Sequence, residues 1–280
     1  IDEETKKISW FKGEQAILNA LLTTTSKKIN KIYFMQGHGE TSFSETNIEK
    51  VNMLQLKNWL MTENFALQDI NLQNSDGGIP PDCDVLAIIN PTSPFTEDEL
   101  NKIDTFLSKE NKSGFKGRLF FALGANYFQQ TNGRFQWVET NIETLLLKYG
   151  LLIENTLLIE PELMVKNLGP YSLYIPSGNL FPHSITEPFI YNNLALVWGD
   201  TSRSISPNKV GGKRLFFNQL VQTSPKCKNI TDITGLYNSI NIKKQNEYLS
   251  EREGKVAFVA ACIGELDPND KKQSFNEDDS

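Results

Sequence analysis

Histidine is nearly missing from this sequence, with only His38 and His183 present. Cysteine is scarce too: Cys83, Cys227 and Cys262 are scattered and show no CxxC spacing. That pattern speaks against a disulfide framework and a structural zinc site, which need paired cysteines or a full set of ligands. A single Cys83–Cys227 or Cys227–Cys262 bridge stays open. No HExxH pair occurs, and no metal is expected. Long apolar runs are also lacking. The longest, Val256 to Ile263, falls far short of the roughly 20 residues that cross a bilayer, and no signal peptide is visible. Basic charge is in deficit: 28 Lys and Arg stand against 34 Asp and Glu, a net charge of -6. Without a basic stripe or aromatics interleaved with Lys and Arg, no nucleic-acid partner is expected.

Phosphate-binding and nucleophile motifs are absent as well. Gly211-Gly212-Lys213-Arg214 lacks the GxxxxGK[ST] spacing that wraps backbone amides around phosphates. No GxGxxG follows a strand, and no GxSxG elbow appears. The turn after Arg118–Leu123, where an α/β enzyme would place its nucleophile, offers Gly124-Ala125-Asn126. Alanine cannot attack anything. Cys83 precedes a strand and Cys262 lies inside one, so both read as small apolar fillers. No cofactor is expected, and ATP should not bind tightly.

What is present is an ordinary globular composition, 39% hydrophobic and 22% charged. Spacing predicts a helix over Gly13–Thr25 and a strand over Lys31–Gln36. A capping box, Thr46 to Glu49, opens a helix running toward Asn64, and Phe65 to Leu72 alternates as a strand. Asp84–Asn90 is apolar on both faces and so reads as a central strand of a covered sheet. Thr96 to Glu99 is a second capping box, heading a helix with Leu100, Ile103, Phe106 and Leu107 on one face. Arg118–Leu123 reads as another buried strand. A third box, Thr140 to Glu143, starts a helix closed by Gly150, after which Leu151–Ile159 returns as a strand. Tyr171–Ile175, Leu194–Trp198, Lys213–Phe217 and Lys255–Ile263 read as further strands.

Strands alternating with capped helices predict an α/β fold: a mostly parallel, doubly wound, flavodoxin-like sheet with an additional smaller α/β portion. The expected organisation is a linker over 1–12, a core over 13–160, a second portion over 161–266 and a polar tail over 267–280. The tail has the composition of a disordered segment.

Gly37-His38-Gly39-Glu40 is the leading candidate site. The strand before it stops abruptly, and two glycines let the backbone turn sharply or approach another group. A histidine and a carboxylate are thereby presented at the carboxyl end of a strand, the edge where open α/β sheets bind ligands. Asn90-Pro91 and Gly124-Ala125-Asn126 end two further strands and are expected beside them. The candidate ligand- or partner-binding residues are therefore Gly37, His38, Gly39, Glu40, Asn90 and Asn126, with no catalytic residue. The bland alternative is a tight turn with His38 bonded to the backbone. His183 is the only other histidine, and Asp200 with Arg203 reads as a loop ion pair.

Several segments, in order, carry a family resemblance. They are Phe11-Lys-Gly-Glu14-Gln15, Lys31-Ile-Tyr-Phe34 with Gly37-His-Gly-Glu40, Ile79-Pro80, Asp84-Val-Leu86, and Pro91 with Phe95-Thr96, Glu99 and Leu100. Leu146 to Gly150, His183-Ser-Ile185, Thr223-Ser-Pro225 and Gly254 to Ala261 follow. The chain resembles the auxiliary proteins of gliding-motility-type (GldG-like) ABC transporters, from about Phe11 to Glu265. The resemblance implies a non-enzymatic extracytoplasmic (periplasmic) domain working beside an ABC permease and ATPase. It also implies membrane helices flanking the chain in a longer parent protein, in keeping with a start at Ile1 rather than methionine. The family's domain is similar in fold to class I glutamine-amidotransferase-like and ciliary intraflagellar-transport domains. The amidotransferase nucleophile would fall near Ala125, so that activity does not carry over. The family's final strand is not recognisable after Glu265. Two other readings remain: a hydrolase using His38 and Glu40, and a carbohydrate- or peptidoglycan-binding module stacking sugars on Trp137, Tyr171 or Trp198.

Overall fold

In a computed structural model of the chain, the structure describes residues 29–41, 54–74, 77–110, 116–163, 172–198, 201–208, 216–241, 254 and 257–263. The expected helix over Gly13–Thr25 and the Thr46–Glu49 capping box lie outside these residues. The chain divides into two units, Ile1–Ala122 and Leu123–Ser280.

The first unit is built on a parallel sheet. β1 (Lys31–Met35), β2 (Ala66–Ile70), β3 (Val85–Ile89) and β4 (Arg118–Ala122) are ordered β2-β1-β3-β4. β1 pairs parallel with β2 and β3, and β3 pairs parallel with β4. Parallel neighbours need crossover connections. α1 (Leu54–Thr62) lies in the first, and α2 (Glu97–Ser108) lies between β3 and β4. Successive side chains of a strand point to opposite faces. Ile32, Phe34 and Ala87 share a buried cluster against which Leu60 of α1 packs. The intervening Tyr33, Met35, Leu86 and Ile88 are buried too. Both faces of β1 and β3 are thus covered, as their unbroken apolar runs predict. Burial of a side chain such as Leu86 or Ile88 is worth roughly 2 kcal/mol.

β4 differs from the expectation. It is an edge strand of this sheet, and Phe120 is 53% exposed. An apolar run reads the same in a central and an edge strand, because its place in the sheet and what packs on each face are decided by elements distant in sequence.

The second unit, described by itself, is a set of two-stranded antiparallel pairs. β5 (Tyr127–Gln129) and β6 (Phe135–Trp137) form a hairpin. α3 (Ile142–Lys148) leads into β7 (Leu151–Ile153), then β8 (Leu157–Ile159) and β9 (Leu173–Ile175). α4 (Glu187–Tyr191), β10 (Leu196–Trp198), β11 (Ile205–Pro207), β12 (Phe216–Gln222), β13 (Lys228–Ile230), α5 (Ile233–Asn241) and β14 (Ala257–Ile263) follow.

Leu151–Ile159 is therefore two strands. Thr156 donates its N–H to the carbonyl of Glu154 at 2.9 Å, turning the chain. β7 then pairs with β11 while β8 pairs with β13. Alternation along β8 serves two cores. Leu158 joins Leu173, Ile175, Leu220 and Phe258, while Leu157 and Ile159 join Ile230, Ile233 and Leu236.

The third capping box is also not made as expected. α3 starts at Ile142, with Asn141 at the cap in a left-handed conformation and no side-chain cap bond. Thr140 instead donates its hydroxyl to the Glu143 carboxylate at 2.7 Å. The two residue types are those of the motif, but the left-handed Asn141 between them sets the backbone off the capping geometry.

Candidate functional site at the carboxyl edge of the sheet

β1 ends at Met35, and Gln36 extends the pairing by donating its N–H to the Ile70 carbonyl at 2.8 Å. The chain then folds over the sheet edge through Gly37 (φ +120°) and Gly39 (φ +76°), conformations that L side chains rarely adopt. Crowding adds to the requirement. A Cβ at Gly39 would stand 2.1 Å from Thr92 Oγ1, and one at Gly37 would stand 2.9 Å from Asn71 Nδ2. Between two exposed glycines the chain turns His38 inward, to 1% exposure, with Glu40 at 7%.

The loop after β3 comes up alongside. Thr92 and Ser93 both donate N–H groups to the His38 carbonyl, at 2.7 and 3.0 Å, and Thr41 donates to Ile89 at 3.0 Å. Asn90 sits in the left-handed region (φ 52°), which asparagine tolerates better than most residues, and its N–H continues the ladder to Ala122. Loops following neighbouring strands β1 and β3 are thereby bonded to each other.

Inside this junction the imidazole of His38 lies between two carboxylates. Its Nδ1 is 3.2 Å from Glu40 Oε1, and its Nε2 is 3.2 Å from Glu99 Oε2. The His38 N–H donates to Glu40 Oε2 at 2.7 Å. Phe95 stacks on the ring at 3.9 Å with an interplanar angle of 24°. The Gln73 side-chain amide reaches His38 Nε2 and the Gly37 carbonyl, each at 3.5 Å. A neutral imidazole has one N–H and satisfies one carboxylate at a time, whereas an imidazolium satisfies both.

Glu99 belongs equally to α2. Thr96 caps that helix in a full capping box: its hydroxyl accepts the Glu99 N–H, and its own N–H donates to Glu99 Oε2 at 2.8 Å. Burial pushes the Glu99 carboxyl up, but the Thr96 N–H and hydroxyl, with His38, outweigh it and hold it below the ordinary carboxylate range. Glu99 Oε1 is buried and has no hydrogen-bond partner among the described residues. The arrangement acts as a brace: one imidazole ties the β1 loop, the β3 loop and the start of α2 together.

Of the predicted site residues, Gly37, His38, Gly39, Glu40 and Asn90 come together here. The glycines face outward, while the His38 and Glu40 side chains face in. Asn126 belongs to the second unit, where its carbonyl accepts the Val138 N–H at 3.0 Å as the chain enters and leaves the β5–β6 hairpin. His183 receives the Ile185 N–H on Nδ1 in a local turn. Asp200 lies outside the described residues. Arg203 is buried and pairs with Glu143, Nη1 to Oε1 at 2.9 Å. Cys83 and Cys227 are free thiols. Among the described residues no cluster of His, Cys, Asp and Glu could hold a metal ion, and no helix is long and apolar enough to cross a membrane.

Sequence reasoning missed Glu99, Phe95 and Gln73 as members of this site. Thr96–Glu99 is legible as a cap, but nothing in the spacing shows that the same carboxylate also meets a histidine 61 positions earlier.

An ABC-transporter auxiliary family, described as an ABC-type uncharacterized transport system, matches residues 30–274, and the chain belongs to it. No curated protein gives a significant match. Among solved structures, the mmIFT52 N-terminal domain is similar at 18% identity, covering 70% of this chain and 74% of that one, with a TM-score of 0.47. Family membership associates the chain with an ABC transport system in an auxiliary role.

Proposed function

We propose that this chain is a non-catalytic, extracytoplasmic auxiliary domain of a membrane-bound ABC transport system of the gliding-motility type. It acts by contact with the permease and ATPase subunits and is tethered by helices in a longer parent protein. The observation that carries the reading is the family match across residues 30–274. The sequence supplies no phosphate-cradling loop of its own, which fits a division of labour with a separate ATPase.

The contact surface we assign is the carboxyl edge of the sheet. The order β2-β1-β3-β4 supports reading the first unit as the start of a doubly wound, flavodoxin-like core. In such sheets the crevice lies where the strand order reverses, between β1 and β3. Gly37, Gly39 and Asn90 stand there, and Gln73 adds an exposed amide. His38 and Glu40 act from beneath, fixing the loop that the partner meets. Asn126 is assigned as a contact of the second unit.

The test is co-purification of the full-length parent protein with its permease and ATPase, with transport measured in cells. A Gln73→Arg variant removes the two long amide contacts to His38 and the Gly37 carbonyl and places a cation at the exposed edge. It is expected to lose capture with a smaller drop in melting temperature than the buried double variant. A His38→Ala, Glu40→Ala double variant is expected to lose both capture and stability. Full capture and transport by Gln73→Arg would remove the loop from the contact surface. A parent protein that captures neither subunit would remove the auxiliary role itself.

A further inference from the structure

A second site is built around Arg203, in the unit that begins at Leu123. A groove of about 310 Å³ opens there, lined by Glu139, Glu143, Thr144, Asn155 and Arg203 beside Val138 and Ile153. That is the lower end of the range of small-ligand sites, roughly 300–1,000 Å³.

Arg203 is only 5% exposed. Its Nε donates to the Glu154 carbonyl at 2.8 Å, Nη1 to Glu143 Oε1 at 2.9 Å and Nη2 to Asn155 Oδ1 at 2.5 Å. Trp137 lies 6.0 Å from the guanidinium carbon, ring centroid to Cζ. A guanidinium has five N–H donors in a fixed fork, so these bonds leave two donors without a partner among the described residues, on a side chain that lines the groove. Holding a buried cation this rigidly, with donors to spare, pre-organises a site for oxygen acceptors. Glu143 is itself oriented, receiving the Thr140 hydroxyl on its other oxygen.

Charge selects the ligand. Glu139 and Glu143 together outweigh Arg203, so an anion meets a net negative groove. A cation meets the spare guanidinium donors. An uncharged group that both donates and accepts serves all of them: its hydroxyls give protons to the carboxylates and accept from Arg203 and the Asn155 amide. Val138 and Ile153 offer a small apolar patch, suited to the C–H face of a ring rather than to a large apolar side chain. We propose that the Arg203 groove is a binding site for a neutral saccharide.

The experiment is saturation-transfer NMR on the full chain with glucose, galactose, N-acetylglucosamine and its β1–4 disaccharide. Titration calorimetry follows for any saccharide that responds. Sodium phosphate, glycylglycine and methylammonium are run as anion, peptide and cation probes. At least one saccharide is expected to bind in the millimolar range or tighter, and the other probes not at all. Glu139→Ala changes an exposed side chain, and Asn155→Ala removes one Arg203 contact while leaving the Glu143 pair. Each should weaken binding by about tenfold, the loss of one hydrogen bond to a charged or oriented group. Glu139→Ala is expected to keep its melting temperature, and Asn155→Ala to lower it modestly because a buried Arg203 donor loses its acceptor. Silence from all the saccharides would overturn the proposal. So would binding unaffected by both variants, or preferential binding of any of the control probes.

Discussion

At the scale of single residues, the glycines flanking His38 are required for two separable reasons. Gly39→Ala would strain a backbone at φ +76° and drive a Cβ to 2.1 Å from Thr92 Oγ1. Gly78→Ala would suffer the same strain at φ +74° but meet only Lys102 Cγ, at an ordinary 3.8 Å. Gly78→Ala is expected to cost about 1 kcal/mol and Gly39→Ala distinctly more, measured by urea unfolding. Adding Thr92→Ala should return part of the difference. His38 gives a second prediction. His38→Ala leaves two buried carboxylates, Glu40 and Glu99, without the group between them. A loss of roughly 3 kcal/mol is expected, in the range for breaking a buried pair, and His38→Gln should recover some of it by restoring a donor.

At the scale of elements, α2 is where capping and the site meet. A capping threonine replaced by alanine commonly costs about 1 kcal/mol. Thr96→Ala should exceed that, because Thr96 also holds the carboxylate that faces His38. The pH dependence follows from the same group. Glu99 has a depressed pKa in the folded chain, so its ionised form contributes stability that is fully present above the ordinary carboxylate value. That contribution is lost as pH falls through the lower folded value. The stability gap between wild type and Glu99→Gln is therefore expected to be widest near neutrality and to close below roughly pH 4, read from unfolding curves at a series of pH values.

At the scale of the whole molecule, the buried thiols give a probe that spans both units. Burial pushes the Cys83 and Cys227 thiols up to about 12. Both should resist alkylation in the native chain at mildly alkaline pH and react fully in denaturant, followed by peptide mass spectrometry. Early labelling of Cys83 alone, as denaturant rises, would show that the first unit opens before the second. The family assignment also belongs to this scale, since the matching family spans residues 30–274.

By itself the sequence determined the strands of the first unit, the cap of α2 and the place where β1 must turn. These are local matters: an apolar run, a Thr–Glu spacing and a glycine pair act over a few residues and leave their mark on the chain. The direction of β1 against β3 was legible too, because helices between strands leave a parallel pairing as the short route. Only the tertiary structure decided that β4 is an edge, that Leu151–Ile159 breaks into strands with different partners, and that Thr140 fails to cap α3. It also decided that Arg203 pairs with Glu143 and that His38 turns inward to meet Glu99. Each of these depends on a neighbour distant in sequence. Periodicity can show that a side chain is apolar or charged, but its partner is fixed only when the chain has closed around it.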